Sequence, residues 1–379
     1  MATELAAWSG CPSGAGERIA WGALLERFEW LRALEGCPQD PVYHAEGDVL
    51  IHTKMVCEQL VEDVAWQALR PAERAILFAA ALLHDVAKPR CTQREGERVR
   101  SPGHAKHGAL MARAMLWEAG VAPHEREAVS ELVRFHQHPY LWMEKQDLQR
   151  AILGLSLRCR ADWLAILARA DLKGRVCPDV ERQLENVALF VVQCEEWGCL
   201  RGPYPFASDH SRAMYFRRPD RDPTYHAHDE TWGEVVVMSG LPGAGKDHWL
   251  RVHRPGLAVV SLDAIRAQLG AGPTGDQGAV IREAYEQARE RLRRKEPFAW
   301  SATNLTRELR GRVLSLAHDY GARARIVCVD TPSETLWAQN RGREAKVREA
   351  VIWGMAQRWE FPDLSEAQAR EWVGVSAGA

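Results

Sequence analysis

The sequence predicts two domains of different class, an all-α domain followed by an α/β domain with a parallel β-sheet. The chain has 379 residues, of which 46% are hydrophobic and 26% charged. That is ordinary globular composition and enough chain for two domains, each with its own core. Residues from about 18 to 200 repeat apolar side chains at three- and four-residue spacing, without strand-like alternation. Beyond residue 231, short β-branched runs alternate with helical segments, as in parallel strands covered on both faces.

In chain order, the apolar spacing predicts helices over 56–69, 72–84, 107–119 and 126–136. Pro71 and Pro123 stand where a proline opens a helix, because its missing N–H is unneeded in the first turn. Residues 201–231, rich in Pro, Asp, His and Arg, read as a connector between domains at 1–200 and 232–379. After it, the segments EVVVM, LAVVSL, PFAWSA and ARARIVCVD read as short buried strands. The intervening stretches 278–294 and 305–318 read as helices.

A formal charge of −2 excludes a basic nucleic-acid coat protein and an acidic disordered chain. No apolar run reaches the length of a membrane-spanning helix, so no membrane partner is expected. The N-terminus lacks the basic start and apolar stretch of a signal peptide. Nine scattered cysteines without a CxxC pattern read as reduced thiols, and the expectation is a cytoplasmic protein. The spacing of His226, His228, Cys194 and Cys199 fits no standard metal pattern. The many tryptophans read chiefly as core.

Only eight of the 49 basic residues are lysine, and one of them, Lys246, completes a glycine-rich motif. Gly240, Gly243, Ala244, Gly245 and Lys246 follow the GxxxxGK pattern between a strand and a helix. Such a loop needs glycine so that successive backbone N–H groups can close on phosphate oxygens. The helix start adds its positive end, and the lysine reaches the β- and γ-phosphates. ATP or another NTP with Mg²⁺ is therefore the expected cofactor. The next position usually carries Ser or Thr to hold Mg²⁺, but here it is Asp247. A carboxylate is also a hard oxygen ligand, so Asp247 is expected to organise the ion instead. Asp263, just past a strand end, is placed to take a proton from an attacking hydroxyl, with Arg266 one turn later placed to grip an acceptor phosphate. The competing reading is a helix N-cap aspartate with a surface arginine. Basic clusters at 291–295 and 307–312 would suit a phosphate backbone. In the first, alternation with Glu286, Glu290 and Glu296 favours an ordinary solvated helix face.

The segments GLPGAGKD, SLDAIR, SATNLTRELR, NRGREAKVREA and RWEFP resemble, in order, the 5′-kinase domain of the bacteriophage polynucleotide kinase-phosphatase family over most of residues 232–365. The resemblance implies Asp263 as general base, Arg266 on the acceptor phosphate, and a lid arginine, Arg341 or Arg343, on the donor phosphates. The family's acidic residue before the Thr-Asn pair is Ala302 here, so one carboxylate is lost where Asp247 adds another.

Eight of the 14 histidines lie between His44 and His138. His84 and Asp85 end an apolar helix, with Lys88 one turn on and Pro89 closing it. His52, His104, His136, His138 and Asp171 complete a candidate set. Imidazole with carboxylate and no nearby thiol suits Mn, Fe, Co, Ni or Zn. His44, His107 and His124 read as local hydrogen-bonding or capping residues. The wording HAEGDVLIHT, LLHDVAKP, GHAKHGA and LVRFH is similar to the HD domain of bacterial tRNA nucleotidyltransferases, within the HD phosphohydrolase superfamily, over about residues 37–175. That resemblance implies His52, His84, Asp85 and Asp171 as metal ligands, with Asp85 able to bridge two ions. It places His104 and His136 on the second ion, His138 as an outside candidate, and Lys88 on the scissile phosphate, with His107 a weaker candidate there.

The predicted architecture is thus an all-α HD-domain phosphohydrolase followed by an α/β P-loop kinase. This pairing resembles the bacterial HD-Pnk family of end-healing enzymes. The resemblance implies RNA or DNA ends as substrates, with removal of a 2′,3′-cyclic or 3′-phosphate at one terminus. It also implies NTP-dependent phosphorylation of a 5′-hydroxyl at the other, before a ligase acts. The alternatives are a nucleotide-metabolism enzyme with a small-molecule kinase, or a protein whose HD site is gated by nucleotide.

Overall fold

The computed structural model describes residues 3–14, 16–96, 98–272, 277–343 and 346–374. Met1, Ala2 and Ala15 of the N-terminal stretch, and Glu344 and Ala345 of the expected lid, lie outside the described residues. The chain divides into two compact units, Met1–Pro205 and Phe206–Ala379.

The first unit is helical. Its centre is the helix Pro71–Leu83, whose residues from Ala75 to Leu83 are all buried. The run AILFAAALL is apolar on every side, so this helix packs only if neighbours surround it. Around it lie Glu4–Ser9, Val49–Glu62, Pro123–Phe135 and Ala161–Lys173, and His104–Glu118 packs in turn on Pro123–Phe135. Pro71 and Pro123 each occupy a first helical position, as the sequence predicts. Helix Val49–Glu62 starts earlier than the apolar spacing alone indicates, because Asp48 caps it by accepting from the Ile51 N–H. The sequence gives no sign of the short antiparallel hairpin β1 (Gln93–Glu95) and β2 (Arg98–Arg100). Four of its six side chains are charged and all but Val99 are exposed, so no apolar alternation marks it.

The second unit carries a five-stranded sheet, parallel throughout, in the order β4-β5-β3-β6-β7. The strands are β3 (Glu234–Ser239), β4 (Ala258–Ser261), β5 (Phe298–Ser301), β6 (Arg323–Val329) and β7 (Ala369–Val373). The central strand β3 is buried at five consecutive positions, which requires cover on both faces. After β4 and β5 the chain crosses to the other side of β3 to lay down β6. The carboxyl end of β3 therefore lies at the point where strand order reverses, the usual place for a ligand crevice in such sheets. Edge strand β7 has no predicted counterpart, since its five residues are all half-buried and show no apolar run.

The segment read as a connector joins the second unit from Phe206 on. It forms helix Asp209–Arg217, and Arg212 donates to the carbonyls of Leu364 and Gln368. The tryptophans Trp66, Trp117 and Trp359 are among the largest fully buried side chains, which accounts for them as core. No helix among the described residues is long and apolar enough to cross a membrane.

Candidate active sites

In the helical unit, four histidines from four helices present their rings to one another. His84 and His136 follow the last residues of their helices, His104 opens one, and His52 lies in the first turn of Val49–Glu62. His84 Nδ1 contacts the Ala81 carbonyl at 2.7 Å, His104 the Ser101 carbonyl at 2.8 Å and His136 the Val133 carbonyl at 2.8 Å. A carbonyl only accepts, so each Nδ1 carries the proton and donates, leaving each Nε2 as a lone pair. His52 Nδ1 faces two acceptors, the Gly174 carbonyl at 3.1 Å and Glu46 Oε1 at 3.0 Å, and donates there, but its Nε2 faces the Asp171 carboxylate. Burial works against a charge on this ring, yet Asp171 and Glu46 raise it. The approach of His52 to the Gly174 carbonyl depends on that glycine, where a Cβ would stand 2.8 Å from the Val56 nitrogen.

The inward atoms then converge. His84 Nε2 lies 3.3 Å from His52 Nε2 and 3.2 Å from Asp85 Oδ2. Asp85 Oδ1 and His104 Nε2 are buried, have no hydrogen-bond partner among the described residues, and stand 3.4 Å apart. Two triads, His52-His84-Asp85 and Asp85-His104-His136, each gather their ligand atoms within 4.8 Å and share Asp85. Lone pairs aimed at one another without protons between them repel, so this donor set fits divalent cations, with Asp85 common to two positions. Burial lowers His104 and brings His136 down to about 3, which keeps both rings neutral and able to coordinate. Burial works against the charge on Asp85, yet Lys88 and His84 hold its carboxyl well below the usual range.

Lys88 Nζ donates to Asp85 Oδ2 at 2.7 Å and to Gln39 Oε1 at 2.6 Å. With His44 and His104 it lines a cavity of about 460 Å³. Asp171 meets the cluster through His52 Nε2 at 3.1 Å, while Tyr140 and Arg175 donate to its carboxylate. The metal-competent triads do not include His138. Its ring packs on Phe135, and burial followed by Lys145 and Arg134 lowers it to about 4. His107 is exposed and donates to the Gly103 carbonyl, four residues back.

His44 does more than cap. Its Nδ1 lies 2.7 Å from Glu46 Oε1, the same oxygen that takes His52, and Glu46 Oε2 accepts from the Val176 N–H. A carboxylate behind a ligating imidazole fixes its tautomer and aim. Glu46→Ala is therefore expected to weaken divalent-ion binding by about 10- to 100-fold. Titrating metal-stripped protein with Mn²⁺, read by electron paramagnetic resonance, checks this; unchanged affinity removes Glu46 from the site. Glu46, Tyr140 and Arg175 are absent from the sequence-based set. Arg175 lies one turn beyond Asp171 and Glu46 lies within HAEGD, but neither position by itself points to a role.

In the α/β unit, the loop after β3 takes the shape its glycines permit. Gly240 has φ +156° and so little room that a Cβ would stand 2.5 Å from the Val329 carbonyl oxygen. The Thr303-Asn304 pair supports the loop from β5. Thr303 O accepts from the Gly240 N–H, and Asn304 Nδ2 donates to the Met238 carbonyl at 2.7 Å. From β6, Thr331 Oγ1 donates to the Ala244 carbonyl. Lys246 Nζ donates to the carbonyls of Gly240 and Leu241 at 3.0 and 2.9 Å.

Arg343, rather than Arg341, faces this loop. A Cβ on Gly243 would come within 3.2 Å of Arg343 Nη1, whereas Arg341 is exposed and 3.9 Å from Glu349. Asp263 sits at the start of helix Leu262–Gln268, ion-paired with Arg266. Ser261 caps that helix by accepting from the Ala264 N–H, so Asp263 is not its N-cap. Arg266 also donates to Gln277 Oε1 at 3.1 and 3.2 Å. The basic clusters are tied up locally. Arg289, Arg291 and Arg294 pair with Glu286, Glu296 and Glu290, and Arg310 is fully buried against Glu366 and backbone carbonyls.

Comparison with known proteins finds one family match in each unit. Residues 49–172 match the HD domain family and residues 235–362 an AAA domain family. A Multifunctional CCA protein of Hahella chejuensis (strain KCTC 2396) is 28% identical over 193 residues, which are 49% of this chain and 38% of that protein. The chain thus spans well under half the length of this relative.

Proposed function

We propose that this chain, an HD domain joined to a P-loop kinase-like domain, is a bifunctional nucleic-acid end-healing enzyme. The HD unit removes a 2′,3′-cyclic or 3′-phosphate from RNA or DNA ends, and the P-loop unit phosphorylates 5′-hydroxyl ends from ATP or another NTP. The product ends suit a ligase acting afterwards. The observation that carries the kinase half is the Asp263–Arg266 pair at the carboxyl edge of the sheet. A carboxylate to take the hydroxyl proton, with a guanidinium one turn away, suits a hydroxyl whose neighbour is already a phosphate. The 5′ end of a polynucleotide is such an acceptor. Arg343 adds positive charge over the phosphate loop, where charge develops during transfer.

In the HD unit, His52, His84, Asp85, His104 and His136 would hold divalent ions. Ions bound there would supply Lewis acidity and make water a better nucleophile near neutral pH. Lys88, tethered between Asp85 and Gln39 at the cavity wall, would bind the phosphoryl oxygens. Two opposite phosphate reactions on one chain make sense if both act on the termini of one broken strand.

The test is incubation with ATP, a divalent-ion series and an oligonucleotide bearing a 5′-hydroxyl and a 2′,3′-cyclic phosphate. The expected result is a 5′-phosphate and loss of the cyclic phosphate, with excess 5′-hydroxyl oligonucleotide suppressing phosphorylation of any small molecule. Both termini unchanged under every ion would overturn the reading.

A further inference from the structure

P-loop proteins commonly hold Mg²⁺ with a hydroxyl at the end of the loop and a carboxylate from a neighbouring strand. Here the loop ends in the carboxylate Asp247, and the hydroxyl partner comes from the sheet. Ser301, the last residue of β5, is buried and donates through Oγ to Asp247 Oδ1 at 2.9 Å. Strand β5 pairs directly with β3, which feeds the loop, so Ser301 reaches Asp247 from the strand beside it.

We infer that the metal-organising pair is inverted in this chain. Asp247 supplies the anionic oxygen beside the nucleotide, and Ser301 is a positioning residue that fixes its orientation. The chemistry is sound on both sides. A carboxylate is a strong oxygen donor to Mg²⁺, and its position in the first turn of helix Lys246–His253 is favoured by the helix dipole. A single hydrogen bond from Ser301 occupies one oxygen and leaves the other open to a metal-bound water or the ion. Lys246, one residue earlier, limits the repulsion between this carboxylate and the nucleotide phosphates.

The inference rests on the P-loop unit binding a magnesium nucleotide, but not on the identity of the acceptor. The experiment therefore omits the acceptor and measures binding of a non-hydrolysable ATP analogue by calorimetry, with Mg²⁺ and with EDTA. A parallel titration follows Mn²⁺ in the presence of the same analogue by electron paramagnetic resonance. Asp247→Ser, although it restores the common loop residue, is expected to lose the Mg²⁺-dependent gain in affinity by about tenfold or more. Ser301→Ala is expected to lose less, about two- to fivefold. The reciprocal variant Asp247→Ser/Ser301→Asp is expected to recover the gain to within about threefold of the parent. Thermal melting of each variant, with nucleotide affinity in EDTA, separates this effect from misfolding.

Full Mg²⁺ dependence in Asp247→Ser would overturn the inference, as would a reciprocal variant no better than Asp247→Ser alone. A parent chain that binds the analogue with equal affinity in Mg²⁺ and EDTA would overturn it too. A chain that binds the magnesium nucleotide but phosphorylates no polynucleotide would instead defeat the end-healing reading and leave the inverted pair intact.

Discussion

Asp85→Asn is expected to lower phosphohydrolase turnover by about 10³-fold or more, with 5′-kinase activity kept within about twofold. Asp85 has more work in its cluster than any histidine. One oxygen is shared between His84 and Lys88, and the other is buried beside His104 without a hydrogen-bond partner among the described residues. Asparagine keeps the shape but replaces a charged oxygen by an amide, so both triads lose their common anionic donor. The Lys88 ammonium is then left against a neutral group in a site where it is almost fully buried. Metal content of the purified variant, measured by elemental analysis, should fall together with activity. Retained metal with lost activity would assign Asp85 to catalysis alone, and full activity would exclude it from the site. Glu46→Ala gives a useful contrast, because a residue acting through His52 should weaken ion binding without removing a ligand.

The fold was largely legible because its two halves have different periodicities. Apolar spacing of three and four marks the helices Pro71–Leu83 and Pro123–Phe135, β-branched runs mark β3, β4 and β6, and a short apolar run with two aromatics marks β5. What escaped was structure whose stability comes from distant partners. The residues of β7 do not look like a strand until β6 pairs with them, and the β1-β2 hairpin is built mostly from charged side chains. The same division holds at the sites. His84, Asp85 and Lys88 lie within five residues and are readable as a motif. The convergence of His52 with Asp171 spans 119 positions, and no local spacing marks it; only the family resemblance puts the two in one set before the folded chain shows the contact. Glu46 escaped because nothing local marks a carboxylate that supports two rings at once. The choice between Arg341 and Arg343 likewise depended on which side chain folds back over Gly243. At residues 307–312 the sequence offers three arginines alike to a phosphate backbone, whereas the folded chain separates them: Arg307 and Arg312 stay exposed beside Asp363 and Glu308. Arg310 alone is buried, paired with Glu366.

Lys246→Ala is expected to reduce kinase turnover by about 10³-fold or more, while HD phosphohydrolase activity remains. The lysine has a further, pH-dependent signature. Burial lowers its ammonium from 10.5 to about 8; Asp247 and Asp263 oppose that shift, and Arg343 adds to it. A nucleotide polyanion favours the charged form, so binding raises this pKa and takes up a proton wherever free Lys246 has lost one. Nucleotide affinity, measured in EDTA to keep metal out of the comparison, should therefore be level below about pH 7. It should fall as the pH rises through 8, by up to about tenfold per unit. The stability term has the opposite sign. Between about 8 and 10.5 the unfolded chain holds a proton that the folded chain has released, so this group's contribution to stability rises with pH across that window. Affinity that falls while the melting temperature holds or rises would mark Lys246 as the titrating group, since general alkaline unfolding would lower both. In Lys246→Ala the residual affinity should show no such slope. A parent chain whose affinity stays constant from pH 7 to about 9.5 would show that Lys246 keeps its proton across that range, leaving the loss of affinity in Lys246→Ala to identify it as the phosphate-binding cation.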